Sequence, residues 1–291
     1  MKLKSIYYSR SFFARLMRKL LQINFEKKYQ WMDIKNSEKY YMIVENQNNL
    51  DKLLLELYVE LINKFIPEKS NIADFGAGTG ILTKMLKARG HTLTAIDVSE
   101  SMLSNIKNQH HDVRIIIKDL FSDDLIDEQY DVVVSRWFFP HFKKWEKLIE
   151  KSSKTLIKGG HLFFDMPSKE HVEFAKKMGI NVSPNAFGYN HEHAKESSFY
   201  AAVSDAELHE ASLKYGMKFE RRVPIGFFKR NMIIANSLGD EGFKNFCSYI
   251  ESSSFLENRE IKDRVFEIEK LFMNEASKFL VHNSIVHMTK S

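Results

Sequence analysis

Residues 72–80 read Ile72-Ala73-Asp74-Phe75-Gly76-Ala77-Gly78-Thr79-Gly80, and this stretch decides the fold. Ile72–Phe75 has the apolar character of a short buried strand. Ile81, Leu82, Met85 and Leu86 then recur at helical spacing, and Gly90 stops them. A turn this tight between strand and helix needs positive φ angles and bare backbone, which glycine supplies. The helix behind it offers free N–H groups and a partial positive charge to whatever lies on the turn. Dinucleotide enzymes hold pyrophosphate there with the spacing Gly-x-Gly-x-x-Gly. Here the spacing is Gly-x-Gly-x-Gly, and Ile81 stands where that pattern wants its last glycine. Asp74, at the strand end, is a poor neighbour for phosphate and a good one for an ammonium group.

Downstream, strand and helix signals alternate. Strands are expected at 92–96, 113–117, 131–135 and 161–165. Ser99 reads as an N-cap, with Met102, Leu103 and Ile106 inside its helix. A helical stripe of Trp145, Leu148, Ile149, Ser152 and Leu156 is expected to end at Gly159–Gly160. Ser204-Asp205-Ala206-Glu207 is a capping box, followed by a strand over 218–225. Residues 241–281 read as helical and 284–289 as a short last strand. Such alternation implies an α/β fold with a doubly wound, mostly parallel sheet. Residues 49–66 carry a helix of Leu50, Leu53, Leu54, Leu57, Tyr58, Leu61, Ile62 and Phe65, stopped by Pro67.

Two more acids follow the strand ends. Asp97 closes the second strand, where a carboxylate accepts both hydroxyls of a ribose. Asp119 follows the third strand, where it can accept from the exocyclic amine of adenine, with Val98 and Leu120 to sandwich the ring. The ligand matching these demands is an adenosine without phosphate and with an amino-acid tail.

Residues 72–165 resemble the class I S-adenosylmethionine-dependent methyltransferases. IADFGAGTG is similar to that family's first motif, AIDVSESML to its second, and LIKGGHLFF to the stretch entering its fifth strand. The resemblance implies a seven-stranded Rossmann-like methyltransferase fold with S-adenosyl-L-methionine as cofactor. It assigns the methionine part to Asp74, Gly76, Ala77, Gly78 and Gly80, and the ribose to Asp97. It assigns the adenine to Val98, Met102, Asp119 and Leu120, and puts Ser135 beneath the sulfonium. It also implies a division into a helical cap at 1–66, a cofactor-binding core at 67–235, a helical insertion at 236–281 and a terminal strand at 282–291. A lid insertion is expected within the core at about 168–203.

Displacement at an activated sulfonium methyl needs alignment and exclusion of water more than a reactive side chain. Acceptor residues are therefore sought at the carboxyl ends of the strands. Arg136-Trp137-Phe138-Phe139-Pro140-His141 leaves the fourth strand there. His141 is the candidate base, or else a loop histidine with a structural hydrogen bond. Trp137 and Phe138 are candidate pocket walls, or else core aromatics, and Asp165 can position a substrate amine or hydroxyl. His191 and His193 read as lid contacts to the acceptor, or as part of a polar surface loop. No further ligands accompany this His-x-His pair, so no metal is expected.

The 291 residues carry 43 Lys and Arg against 38 Asp and Glu. Residues 1–30 hold eight of the basic residues and one acid, Glu26, so the body of the chain is slightly acidic. That distribution argues against a nucleic-acid-binding face. Residues 10–21 form an amphipathic helix pattern that packs as a cap or meets a membrane surface or partner. A single cysteine, Cys247, precludes an internal disulfide and fits a reducing, cytoplasmic setting. No apolar run reaches transmembrane length. The function expected is methyl transfer to an O or N atom of a small-molecule or sugar-like acceptor. The competing readings are a macromolecule-directed methyltransferase that uses the basic N-terminus, a nicotinamide-dinucleotide oxidoreductase, and a non-catalytic binder.

Overall fold

A computed structural model describes residues 50–122, 126–142, 144–179, 201–228 and 257–291, with a few positions between 234 and 245. The segment 10–21, His191, His193 and Cys247 lie outside the described residues.

The chain enters with helix α1 (Leu50–Asn63), then alternates strand and helix: β1 (Asn71–Phe75), α2 (Ile81–Lys87), β2 (Thr92–Asp97), α3 (Glu100–Gln109) and β3 (Arg114–Ile117). β4 (Tyr130–Ser135) leads through a short 3-10 turn at Phe139–His141 to α4 (Glu146–Thr155) and β5 (Leu156–Asp165). α5 (Lys169–Lys177), α6 (Asp205–Lys214), β6 (Met217–Pro224), α7 (Arg259–Phe272) and β7 (Ser284–Lys290) complete the described elements. The seven strands form one sheet in the order β3-β2-β1-β4-β5-β7-β6. β1 to β5 run parallel, and β7 is antiparallel to both of its neighbours.

Period-two patterning builds the two layers. Ile72, Leu93, Ala95, Val132, Val134, Phe163 and Ile285 face the helices α1, α2 and α3. Ala73, Phe75, Ile96, Val133, Phe164, Val286 and Met288 face α4 and α6. α1 belongs to the first of these layers. Its Leu50, Leu53, Leu55, Leu57, Tyr58 and Ile62 are all but inaccessible to solvent. The described part of the segment grouped as a cap thus packs on the sheet itself.

Local signals hold where a contiguous stretch closes its own hydrogen bonds. Ser99 caps α3 by accepting from the Met102 N–H, and the Ser204–Glu207 capping box is complete. Gly159–Gly160, expected to stop α4, lies inside β5 instead. The helix ends because Leu156 adopts extended backbone and pairs with Tyr130. Gly160 then passes so close to the Asp131 carbonyl that a Cβ there would meet it at 2.9 Å. The helical reading of 241–281 is borne out for Arg259–Phe272, after which the chain breaks into a 3-10 turn at Glu275–Phe279. A parallel bridge between Ser168 and Val203 brings the two ends of the expected lid insertion together, so the insertion leaves and rejoins the core at one place.

Candidate functional site

β1 and β4 are neighbours whose connections leave in opposite directions, which opens a crevice at the carboxyl edge of the sheet. The glycine turn occupies one lip. Its Gly76 and Ala77 N–H groups both donate to the Ile96 carbonyl, which curls the loop back over β2. Gly76, Gly78 and Gly80 all take positive φ, at 71°, 56° and 82°. Space is as decisive as backbone freedom. A Cβ on Gly80 would lie 2.3 Å from the Ile106 side chain, and one on Gly76 would lie 2.4 Å from the Phe138 ring. At Gly78 the nearest atom would be the Met102 methyl, at 3.3 Å.

Asp97 is the hinge of this lip. One carboxylate oxygen accepts from the Gly78 N–H at 3.0 Å and the other from the Ser99 N–H at 2.9 Å. The Val98 N–H adds a third backbone contact, and of its roughly four lone-pair sites the carboxylate keeps acceptor capacity for a further donor. Burial raises the Asp97 pKa, and the backbone N–H groups pull it back toward the carboxylate. Asp74 sits deeper, 1% exposed, and accepts from the Thr83 hydroxyl at 2.6 Å. Desolvation pushes its pKa up to about 7, and the Thr83 hydrogen bond opposes the shift.

Two pockets open along the rim. The first is lined by Asp97, Val98, Lys118, Asp119, Leu120, Phe121 and Phe138. It brings together four residues expected from the sequence. Asp119 accepts from the Phe121 N–H at 2.9 Å, which fixes the turn after β3. Phe121, Phe142 and Phe138 form a contiguous aromatic cluster, with ring centroids 4.5 and 4.8 Å apart. Phe138 was expected with Trp137 as a wall of the acceptor side, and it lines this pocket instead. Lys118 and Phe121 had no assigned role, and their nearness in sequence to Asp119 was the available signal.

The second pocket is lined by Leu54, Tyr58, Arg136, Trp137, Asp165, Ile225, Asn283 and Ile285. Of these, only Trp137 and Asp165 were expected. Tyr58 had been read as part of an apolar helical stripe. Its hydroxyl donates to the Ser135 carbonyl at 3.0 Å, and it shares the pocket lining with Asp165. Trp137 has φ 54°, in the left-handed region that a bulky residue rarely adopts. Its N–H donates to Asp165 Oδ2 at 3.3 Å. Arg136 reaches back to the Asp51 carbonyl at 3.0 Å. Behind the pocket, the Glu269 carboxylate is fully buried and accepts from the N–H groups of Gly226, Phe227 and Phe228. This fastens α7 to the loop that follows Ile225.

Ser135 and His141 line neither pocket. The Ser135 hydroxyl donates to the Phe75 carbonyl at 2.8 Å and ties β4 to β1. His141 closes the 3-10 turn, with its N–H on the Phe138 carbonyl. Among the described residues no cluster of metal-ligating side chains is present.

The fold is that of a doubly wound α/β domain with a pocket at the carboxyl edge of its sheet. A methyltransferase-domain family profile matches residues 73–164. The chain is 31% identical over 181 residues to an uncharacterised methyltransferase of Staphylococcus carnosus, which covers 60% of the chain and 86% of that protein. It is 30% identical over 144 residues to the wheat phosphoethanolamine N-methyltransferase, covering 47% of the chain and 26% of that enzyme. It therefore spans about a quarter of the wheat relative's length. Among solved structures, a cyclopropane synthase of Mycobacterium tuberculosis shares the fold at TM-score 0.53 and 17% identity, over 80% of this chain and 83% of that one. The chain belongs to the class I S-adenosylmethionine-dependent methyltransferases. Its cofactor is S-adenosylmethionine, and the residues present suit it. Asp97 keeps acceptor capacity, the glycine turn is bare, and the first pocket combines apolar Val98, Leu120, Phe121 and Phe138 with the acids Asp97 and Asp119.

Proposed function

We propose that the chain transfers the methyl group of S-adenosylmethionine to an O or N atom of a small-molecule acceptor held in the pocket of Tyr58, Trp137 and Asp165. The observation that carries this reading is the position of that pocket. It opens on the same carboxyl rim as the first pocket, and the Arg136–Phe138 turn lines both.

In this reading Asp97 holds the ribose hydroxyls, and Val98, Leu120, Asp119 and Met102 enclose the adenine. Asp74 and the turn Gly76, Ala77, Gly78 and Gly80 face the methionine portion, with Ser135 beneath it. The bound cofactor supplies an already activated methyl group, so the protein's task is alignment and dryness. Tyr58, Leu54, Ile225 and Ile285 exclude water from the acceptor side. Asp165 orients a hydroxyl or amine and can take its proton. Relatives named for small acceptors support the reading, the wheat phosphoethanolamine enzyme and a ubiquinone-biosynthesis O-methyltransferase of Hydrogenovibrio crunogenus among them. No described helix is long and apolar enough to cross a membrane. The cytoplasmic assignment rests on cysteine usage.

The test is transfer of labelled methyl from the cofactor into a size-fractionated cell extract, with Asp97→Ala as control. Label in the small-molecule fraction is expected from the unmutated chain. Label confined to RNA or protein would overturn the small-acceptor reading.

A further inference from the structure

The second pocket holds one polar side chain with no hydrogen-bond partner. Asn283 is 4% exposed, and neither its carboxamide oxygen nor its nitrogen is paired. Asn283 and Asp165 both line this pocket. Buried amides without partners are costly and rare, and those that persist call for an explanation.

The backbone leaves Asn283 no easy relief. Its carbonyl accepts from the Ile225 N–H at 2.9 Å. The preceding carbonyl, of His282, accepts from Ser168 at 2.7 Å, and the following one, of Ser284, from Met166 at 2.8 Å. The Ser284 hydroxyl is itself held, donating to the Met166 carbonyl and accepting from Arg222. Three consecutive residues are thus locked at the mouth of β7, where Ile285 pairs with Asp165 across the sheet. The carboxamide is presented to the pocket by a rigid frame.

We infer that Asn283 is the specificity-determining residue of the acceptor pocket. Resting on the methyltransferase reading above, it recognises a mostly apolar acceptor through an edge that carries a hydrogen-bond donor beside a carbonyl. A carboxamide shows one N–H donor and one C=O acceptor side by side. Its complement is a lactam-like or hydroxy-carbonyl edge, which closes two hydrogen bonds at once. Trp137, Tyr58, Leu54, Ile225 and Ile285 supply walls for an apolar body. A site built around such a buried polar group discriminates strongly against analogues that cannot pair with it.

The probes are 2-pyridone, which carries that edge, and 1-methyl-2-pyridone, which lacks the donor. Both are titrated into the full chain saturated with S-adenosylhomocysteine, following the side-chain NH2 resonances of Asn283. The expected result is a shift of those resonances by 2-pyridone, with binding about tenfold tighter than for the methylated probe. Asn283→Leu should abolish the preference and leave S-adenosylhomocysteine affinity within about twofold. Removing an unpaired buried amide should also raise the ligand-free Tm by roughly 2–4 °C. Equal binding of the two probes, or a lowered Tm in Asn283→Leu, would overturn the inference. Failure of S-adenosylhomocysteine to bind the unmutated chain would instead sink the methyltransferase reading on which it rests.

Discussion

The two lips of the crevice are built differently. The β1–β3 lip draws its polar groups from one contiguous run, residues 74–121, in which each strand end delivers its own turn. The β4–β5–β7 lip gathers residues 54, 58, 136, 137, 165, 225, 283 and 285 from α1, the ends of β4 and β5, the loop after β6 and the start of β7. The first lip resembles a motif and the second an assembly. A donor common to a whole family is served by short-range geometry that each βα unit makes by itself. An acceptor that varies is served by long-range packing, which can be rebuilt without disturbing the donor lip.

Four substitutions break or sharpen that contrast. Gly80→Val should have the largest effect, because it forces a β-branched residue to φ 82° and drives its Cβ into Ile106. A loss of about 3 kcal/mol or more in chemical denaturation is expected, and wild-type stability would refute the packing described. Asp97→Ala should weaken cofactor binding by about 1–3 kcal/mol in calorimetry while sparing the acceptor lip. An unchanged Kd would remove Asp97 from the ribose.

Glu269→Ala takes the acceptor from three backbone N–H groups behind the second pocket. It should cost about 1–2 kcal/mol of stability and raise the KM for the acceptor without changing the Kd for the donor. If both constants moved together, the lips would not be independent.

Asp74→Asn is read through pH and not through a single stability value. Burial raises Asp74 from 3.8 to about 7, so between these values the unfolded chain ionises while the folded one stays protonated. The carboxyl therefore makes no pH-dependent contribution below about pH 4, destabilises the ligand-free chain progressively as pH rises toward 7, and has a constant effect above it. The Asn variant should lose this component of the Tm decline. In the unmutated chain, the cationic cofactor should bind more tightly as pH rises through 7, and the variant should not follow. Parallel pH profiles for both proteins would refute the assignment.

Much of this was legible in the chain before it folded. The switch from helical to alternating periodicity gave the strand–helix series, and Ser99 and Ser204 announced their helices because capping is settled within four residues. Gly159–Gly160 misled because a glycine pair can end a helix or relieve a crowded strand, and only the pairing of Leu156 with Tyr130 separates the two. His141 drew attention as a titratable group in the right loop, yet the 3-10 turn at Phe139–His141 carries it past both pockets.

The sequence alone determined the β1–β3 lip proposed for the donor: three glycines, Asp74, Asp97 and Asp119 each stand at or just after a strand end, which each strand–helix unit sets locally. Tertiary structure decided the acceptor lip. The antiparallel entry of β7 beside β5 brings Asn283 and Asp165 into one pocket, and packing of α1 on the sheet turns Tyr58 from an apolar stripe residue into a pocket wall. Neither event leaves a local trace, because contacts made across more than a hundred residues are fixed by the closing of the core and not by the propensities of the segments that meet.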